Sequence, residues 1–481
     1  MKTDILVIGS GAGGALTAAL LAEQGFGVTM LEEGPRLIPA AFTPSITEMM
    51  RKMYRKGGIT PIIGRPNIAL AEGRCVGGGT EINSAIYRRA PEDVIERWQK
   101  DFDIKDFSIG SLLPLYKRIE KDISVTPASP NIASEILKAG ADKLGWKGLY
   151  APRAQKDCVD ANMCATGCPT GAKQSMSVTY IPRALNAGAK LLPDCKAVRI
   201  ETKNKRGIGI FARDSKNDSP KPFFIKADYI FVCGGSIQTP GLLQRSNIKR
   251  NIGKSFCLHP TIKVAAKFKE ELNLHEKAFP TYQVKEFSPA ISFGGAVFSP
   301  SYAALVLKNI NGNFQELMRY WRHIALYYTM AVSSGKGKIT QLPLTKDSVM
   351  ARYSLSRGDR KNISEGVAKL SELLLTAGAE EVYPDIHGHP PIRTIKECRY
   401  YNDNLIPFDR ANIYTIHIFS SCPMGEIKEK CAVDSFGKIH EFENIYLNDA
   451  SVLPDAPGVN PQGSIMAIAM RNAEQFIANY K

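Results

Sequence analysis

The stretch "DILVIGSGAGGALTAALLAEQGFGVTMLEEG", Asp4 to Gly34, constrains the fold more than any other part of the chain. Residues 4–9 are apolar and rich in β-formers, the pattern of a buried parallel strand. Small residues and then helix formers follow as far as Gly25, and "FGVTMLEEG" reads as a second strand. Together they predict a βαβ unit at the start of the chain. Between strand and helix, Gly9, Gly11 and Gly14 occupy the glycine places of G-x-G-x-x-G. Gly9 permits a tight turn, Gly11 lets the backbone approach a pyrophosphate, and Gly14 lets helix and strand pack closely. The helix N-terminus then offers unpaired N–H groups to phosphates. The second strand ends at Glu32, where an acid accepts hydrogen bonds from ribose hydroxyls. Glu33 is the neighbouring alternative. A glutamate here suits a 2′-hydroxyl and leaves NAD and FAD undistinguished.

The whole chain, 481 residues, is long enough for two or three domains. No apolar run approaches the roughly 20 residues that span a bilayer. The N-terminus enters a strand without a signal-peptide pattern, so a cytoplasmic location is expected. Peripheral membrane association, or export with a targeted partner, is the alternative. The net charge is +15, but the cations are spread along the chain and accompany no nucleic-acid module. An acidic redox partner or lipid headgroups suit that charge better than nucleic acid.

Further elements can be read in order. Residues 35–75 look irregular around one helix-like segment, and residues 91–122 and 131–146 look helical. Residues 190–270 are β-rich. Short alternating runs over 280–355, among them "AALVLKNI" from Ala303, suggest a separate antiparallel sheet. "DRKNISEGVAKLSELLLTAGA" has the period of an amphipathic helix, and the chain ends on another helix.

Four blocks carry a resemblance. They are "RCVGGGTEINSAIYRRAP" (74–91), "GGSIQTPGLLQRSNI" (234–248), "NIGKSFCLHP" (251–260) and a C-terminal block from "HIFSSCPMG" to "GVNPQGSIMAIAMRNA". In content and order the chain resembles the glucose–methanol–choline (GMC) flavoprotein oxidoreductases. The resemblance implies an α/β plus α+β fold. A Rossmann-like FAD-binding domain is then expected over 1–100, 175–270 and 410–481. A connecting cap is expected over 101–174, and an inserted antiparallel-sheet substrate domain over 271–409. It implies FAD as cofactor, with Gly77, Gly78, Thr80 and Asn83 against the flavin, the Val198 backbone at the adenine, and Asp449 near the ribityl chain and pyrophosphate. Some members attach FAD through a histidine at the position of Ile82, so binding here is expected to be non-covalent.

The resemblance also implies a catalytic pair, His417 of "HIFSSCPMG" and Asn460 of "GVNPQG". Oxidising an alcohol removes a hydride from carbon and a proton from oxygen. A histidine takes such a proton near neutral pH, and an amide donor stabilises the developing alkoxide. The expected activity is oxidation of a sugar, polyol, aminocyclitol or other small alcohol, by a dehydrogenase rather than an oxidase. The electron acceptor would be a protein or a quinone. An oxidase using O₂ and a non-catalytic flavoprotein are the competing readings.

Of ten cysteines, Cys158, Cys164 and Cys168 cluster as C-x5-C-x3-C-P. Zinc usually takes four ligands at closer spacing, whereas a following proline is common beside iron–sulfur clusters. The pattern resembles sugar and polyol dehydrogenase large subunits that hold a [3Fe-4S] cluster. A cluster, a structural or redox thiol group, and another metal all remain open readings. The other seven cysteines read as buried small hydrophobes.

Overall fold

A computed structural model describes residues 1–128, 130–216, 221–277, 279–309, 314–342, 345 and 347–480. Its first sheet is built on strand Lys2–Ile8, which pairs in parallel with Val28–Leu31 on one side and Phe223–Val232 on the other. Lys190–Leu192 extends one edge in parallel, and Ile445–Leu447 pairs with the end of Phe223–Val232. Arg206–Asp214 and Cys195–Lys203 complete the other edge as an antiparallel meander. The apolar run Ile5–Ile8 is fully buried because helices cover both faces. Helix Ala12–Glu23 is enclosed between this sheet and the terminal helix Gln462–Tyr480, so most of its residues are small or apolar.

The second sheet has eleven strands. Its centre is Thr261–Lys267, antiparallel to Ile324–Ala331, which in turn pairs with Ile291–Gly295. Helices Ile132–Leu144 and Arg357–Thr376 pack against it through an apolar cluster that includes Leu137, Leu370 and Leu373. Asn131 and Ser356 cap these helices by accepting from backbone N–H groups in the first turn.

Several expectations change. Residues 91–122 form two helices, Glu92–Phe102 and Ile109–Asp122, because Asp103 ends the first in a left-handed conformation and Ser108 caps the second. Residues 101–174 are not one connecting unit. Ile109–Asp122 packs into the core of the first sheet, while Ile132–Leu144 and strand Gly148–Tyr150 belong to the second. The second sheet also recruits Thr60–Ile63, Ile68–Leu70 and Ile413–Thr415 from segments expected in the cofactor domain. The run from Ala303 lies in a helix, Pro300–Leu307, because Ser299 caps it and Pro300 starts it; Ile310, its last residue, lies outside the described residues. No helix among the described residues is long and apolar enough to cross a membrane.

Candidate active site

One cavity of about 1200 Å³ lies between the two sheets and runs from the Gly9–Gly13 turn to His417 and Asn460. Pockets for one small ligand are typically about 300–1000 Å³, so this one has room for a dinucleotide and a second molecule.

The phosphate end is built from backbone. Gly9 has φ +103°, and a Cβ there would lie 2.3 Å from the Cys233 carbonyl oxygen. A Cβ on Gly13 would lie 1.9 Å from the Asn448 carbonyl oxygen. A Cβ on Gly11, Gly79 or Gly235 would meet no protein atom within 4 Å, and all three line the cavity. The wall is therefore closed behind and open in front, a cradle that fits the pyrophosphate of FAD. Gly14 and Gly77 stand behind this wall. A Cβ on Gly14 would sit 2.0 Å from the Gly9 carbonyl oxygen, and Gly77 N donates to Ser10 Oγ at 3.1 Å. Gly78 and Thr80 line the cavity, and the Thr80 hydroxyl donates to the Gly77 carbonyl. Asn83 lines it too, with its side-chain amide donating to Gln462 Oε1 at 2.8 Å. Ile82, at the position of a linking histidine, lines the cavity with a side chain that has no nucleophile.

Glu32 accepts from Ser10 N, Ser10 Oγ (2.7 Å) and Gly34 N (2.9 Å), and burial raises its pKa. A carboxylate has about four acceptor positions, which leaves capacity for a ribose hydroxyl. Glu33 instead sits in an ion-pair knot with Arg55, Arg74 and Lys196, and those cations hold its pKa well down. Asp449 accepts from Gly235 N, Thr239 Oγ1 and Ser451 N, and burial raises its pKa. Val198 does not line the cavity: its carbonyl accepts from Arg245 Nε at 2.9 Å, while its neighbours Lys196 and Ala197 form the wall. A one-residue slip along a strand is enough to exchange these positions.

The other end carries the side-chain chemistry. Strand pair Cys257–Leu258 and Ile418–Phe419 is in a register that brings His259 beside His417. Their Nδ1 atoms lie 3.2 Å apart. Asn460 precedes Pro461 at the start of the terminal helix, and its Oδ1 accepts from Gln283 Nε2 at 3.0 Å. That bond turns Asn460 Nδ2 toward His417 Nε2, 3.5 Å away. An amide N–H facing this ring nitrogen calls for a lone pair there, so the His417 proton sits on Nδ1 and is donated to His259 Nδ1. His259 then carries its own proton on Nε2, a buried atom with no hydrogen-bond partner. Burial, with the positive charge of Lys285, lowers the His417 pKa to about 4. Burial, His417 and Lys285 push His259 well below its usual range.

His259 stands in the quoted block NIGKSFCLHP, where the resemblance implies a structural role, whereas Gln283 is a neighbour of the pair that motif reading missed. Gln283 belongs to no motif, and only the packing of its strand against the 458–461 turn reveals it. Of the aromatic residues on the second sheet, Tyr328 lines the cavity, whereas Tyr282, Phe293 and Tyr327 are buried in the sheet's core.

The cysteine loop abuts this site. Lys173 Nζ donates to the carbonyls of Glu81, Asn83 and Cys164 and so ties the loop to the cavity-lining segment 78–84. Cys158, Cys164 and Cys168 surround a separate pocket of about 20 Å³. Each sulfur has its own partner: Cys164 accepts from Arg153, Cys168 accepts from Lys173 N, and Cys158 donates to Asp160. No group of three or more His, Cys, Asp or Glu among the described residues is arranged to hold a metal ion. The expected [3Fe-4S] cluster therefore does not fit this arrangement. The other seven cysteines are buried and free.

Comparison with known proteins agrees with this architecture. Family models described as GMC oxidoreductase match residues 50–261 and 334–469, and one described as an NAD(P)-binding Rossmann-like domain matches residues 7–55. The chain is 39% identical to an uncharacterised GMC-type oxidoreductase of Sinorhizobium fredii, over 100% of this chain and 95% of that protein. It is 28% identical to a long-chain-alcohol oxidase of Arabidopsis thaliana, over 98% of this chain and 67% of that one. The fold is similar to pyridoxine 4-oxidase of Mesorbium loti, with TM-score 0.75, 15% identity and 99% of each chain covered. It is also similar to formate oxidase of Aspergillus oryzae, with TM-score 0.77, 14% identity and 100% and 98% covered. The chain belongs to the GMC oxidoreductase family.

Proposed function

We propose that this protein oxidises an alcohol, with FAD held non-covalently in the large cavity and His417 as general base. The observation that carries the reading is the hydrogen-bond chain from Gln283 through Asn460 and His417 to His259, which leaves the His417 Nε2 lone pair facing the cavity. Bound FAD supplies the hydride acceptor. The Gly11, Gly79 and Gly235 backbone would hold its pyrophosphate, with Glu32 at the ribose and Asp449 behind the phosphates. A substrate hydroxyl between His417 and Asn460 donates its hydrogen to Nε2 and accepts from Asn460 Nδ2. His417 takes the proton as the carbon–hydrogen bond breaks. Asn460 stabilises the oxygen as it gains alkoxide character, an effect that typically contributes ~10²–10³ in rate.

The cavity walls beyond this pair include Phe279, Val297, Leu305 and Met330. They suit an alcohol with a hydrocarbon body better than a sugar, in keeping with the long-chain-alcohol oxidase relatives. Those relatives also favour O₂ as acceptor. The preference for a dehydrogenase leaned on a cluster in the cysteine loop, and that support is gone.

Anaerobic mixing of the flavin-loaded protein with primary alcohols should bleach the flavin, and His417→Ala and Asn460→Ala should each slow bleaching by ~10² or more. Unchanged rates in both variants would sink the assignment. Peroxide release under air supports O₂ as acceptor; turnover confined to an artificial quinone would reverse that part.

A further inference from the structure

The substrate end of the cavity holds a cation, Lys263, with no ion-pair partner among the described residues. Lys263 lies on the central strand of the second sheet and pairs with Tyr328, so both side chains share the face that lines the cavity. Gln283 Nε2 reaches both the Tyr328 hydroxyl (3.3 Å) and Asn460 Oδ1, so Tyr328, the cross-strand partner of Lys263, also touches the catalytic pair's own support. Its ammonium lies 5.3 Å from the Tyr302 ring centre and 5.0 Å from that of Tyr414. Among the described residues, no carboxylate lies within ion-pair distance of it. The Asp385 charge acts on it from beyond ion-pair distance, and Asp385 Oδ1 accepts from Asn309 and Asn412. The acids that line the cavity are Glu32, Glu33, Glu72 and Asp449, all at the cofactor end.

An ammonium held among aromatic faces loses hydration, and cation–π attraction recovers only part of that loss. Burial lowers the Lys263 pKa, and the Asp385 charge raises it. An anion arriving with the substrate would favour the charged form and complete the pairing. The net charge of +15 draws anions toward the molecule as a whole.

We propose that Lys263 selects substrates bearing a carboxylate, so that this enzyme acts on hydroxy acids with an apolar body. The hydroxyl carbon would sit at His417 and Asn460, and the carboxylate at the Lys263 ammonium. This rests on the alcohol-oxidation reading and adds the substrate class to it.

The test separates the two. A straight-chain carboxylate with no hydroxyl group is titrated onto the oxidised flavin-loaded protein and followed by the flavin spectrum. The primary amide of the same chain length is the control. The carboxylate should bind about tenfold or more tightly than the amide, as for a charge-assisted hydrogen bond. Lys263→Met should remove that preference. Equal affinities in the wild-type protein overturn the proposal, even where plain alcohols are oxidised. A preference that survives in Lys263→Met overturns it too. In turnover, the kcat/KM ratio of an ω-hydroxy acid to its matched primary alcohol should fall to about one in the variant, and an equal loss for both substrates would mark Lys263 as structural.

Discussion

His417 illustrates how much a single side chain takes from its neighbours. A free histidine titrates near ~6.5. Here burial and the Lys285 charge lower that to about 4, so the ring is neutral, and able to take a proton, across the ordinary pH range. The acid limb of kcat/KM should therefore lie near pH 4, and a limb near the ordinary histidine value would contradict the burial of this ring. Lys285→Met, which removes the positive charge, should move the limb upward. Gln283 acts one bond further out. Gln283→Leu should lower kcat by about tenfold, because Asn460 loses the donor that orients it. Gln283→Glu should be worse, since a carboxylate opposite Oδ1 turns the amide and faces its oxygen to His417 Nε2. If Gln283→Glu matched wild type in rate and pH profile, the orienting role would be wrong.

At the scale of elements, the glycine turn separates folding from binding. A Cβ on Gly13 would collide with the Asn448 carbonyl, which belongs to the turn after strand Ile445–Leu447. Gly13→Ala should therefore lower the Tm and also lose flavin. A Cβ on Gly11 meets no protein atom. Gly11→Ala should fold with a wild-type melting profile when flavin is removed from both, yet retain little flavin on purification. Lys173 joins two loops in the same way that Asn448 and Gly13 join helix and sheet. Its buried ammonium holds carbonyls of both the cavity-lining segment and the cysteine loop, so Lys173→Met should cost about 2 kcal/mol or more in denaturant unfolding and weaken flavin retention. Cys158→Ser should change neither, because this thiol is exposed and its hydrogen bond to Asp160 can be kept by a hydroxyl.

For the whole molecule, the buried histidine pair links stability to pH. His417 and His259 are held neutral in the folded state with pKa values below those of the unfolded chain. Between about pH 6.5 and 4 the unfolded state binds more protons, so stability falls as pH falls through that window. For His417 alone the loss amounts to roughly 3 kcal/mol. Burial raises the pKa values of Glu32 and Asp449, which act in the opposite sense. Urea unfolding across this range should show a shallower acid loss in His417→Asn than in wild type; parallel curves would show that His417 does not carry the effect.

The opening βαβ unit, its glycines, His417 and Asn460 were legible as residues because each sits in a short, ordered motif. Local rules did not locate Lys263, Gln283 or the helix over Pro300–Leu307. Lys263 and Gln283 lie on ordinary strands, and their places appear only when cross-strand pairing sets Lys263 beside Tyr328 and a side-chain hydrogen bond joins Gln283 to Asn460. The apolar residues of the Pro300–Leu307 helix suit a strand equally well, and its Ser299–Pro300 start decided the matter. Val198 lies just behind the cavity wall formed by Lys196 and Ala197, since period-two alternation makes neighbouring strand residues face opposite sides. The three cysteines show the same boundary. Their spacing allowed a cluster, but the positions of Arg153, Lys173 and Asp160 give each sulfur a separate partner. By itself the sequence determined the glycine turn, the family blocks and the residues of the proposed reacting pair, because each is read from residues close together in the chain. The tertiary structure decided which groups surround that pair, because segments far apart in sequence supply them: a lysine lines the same cavity, and a glutamine and a second histidine back the pair.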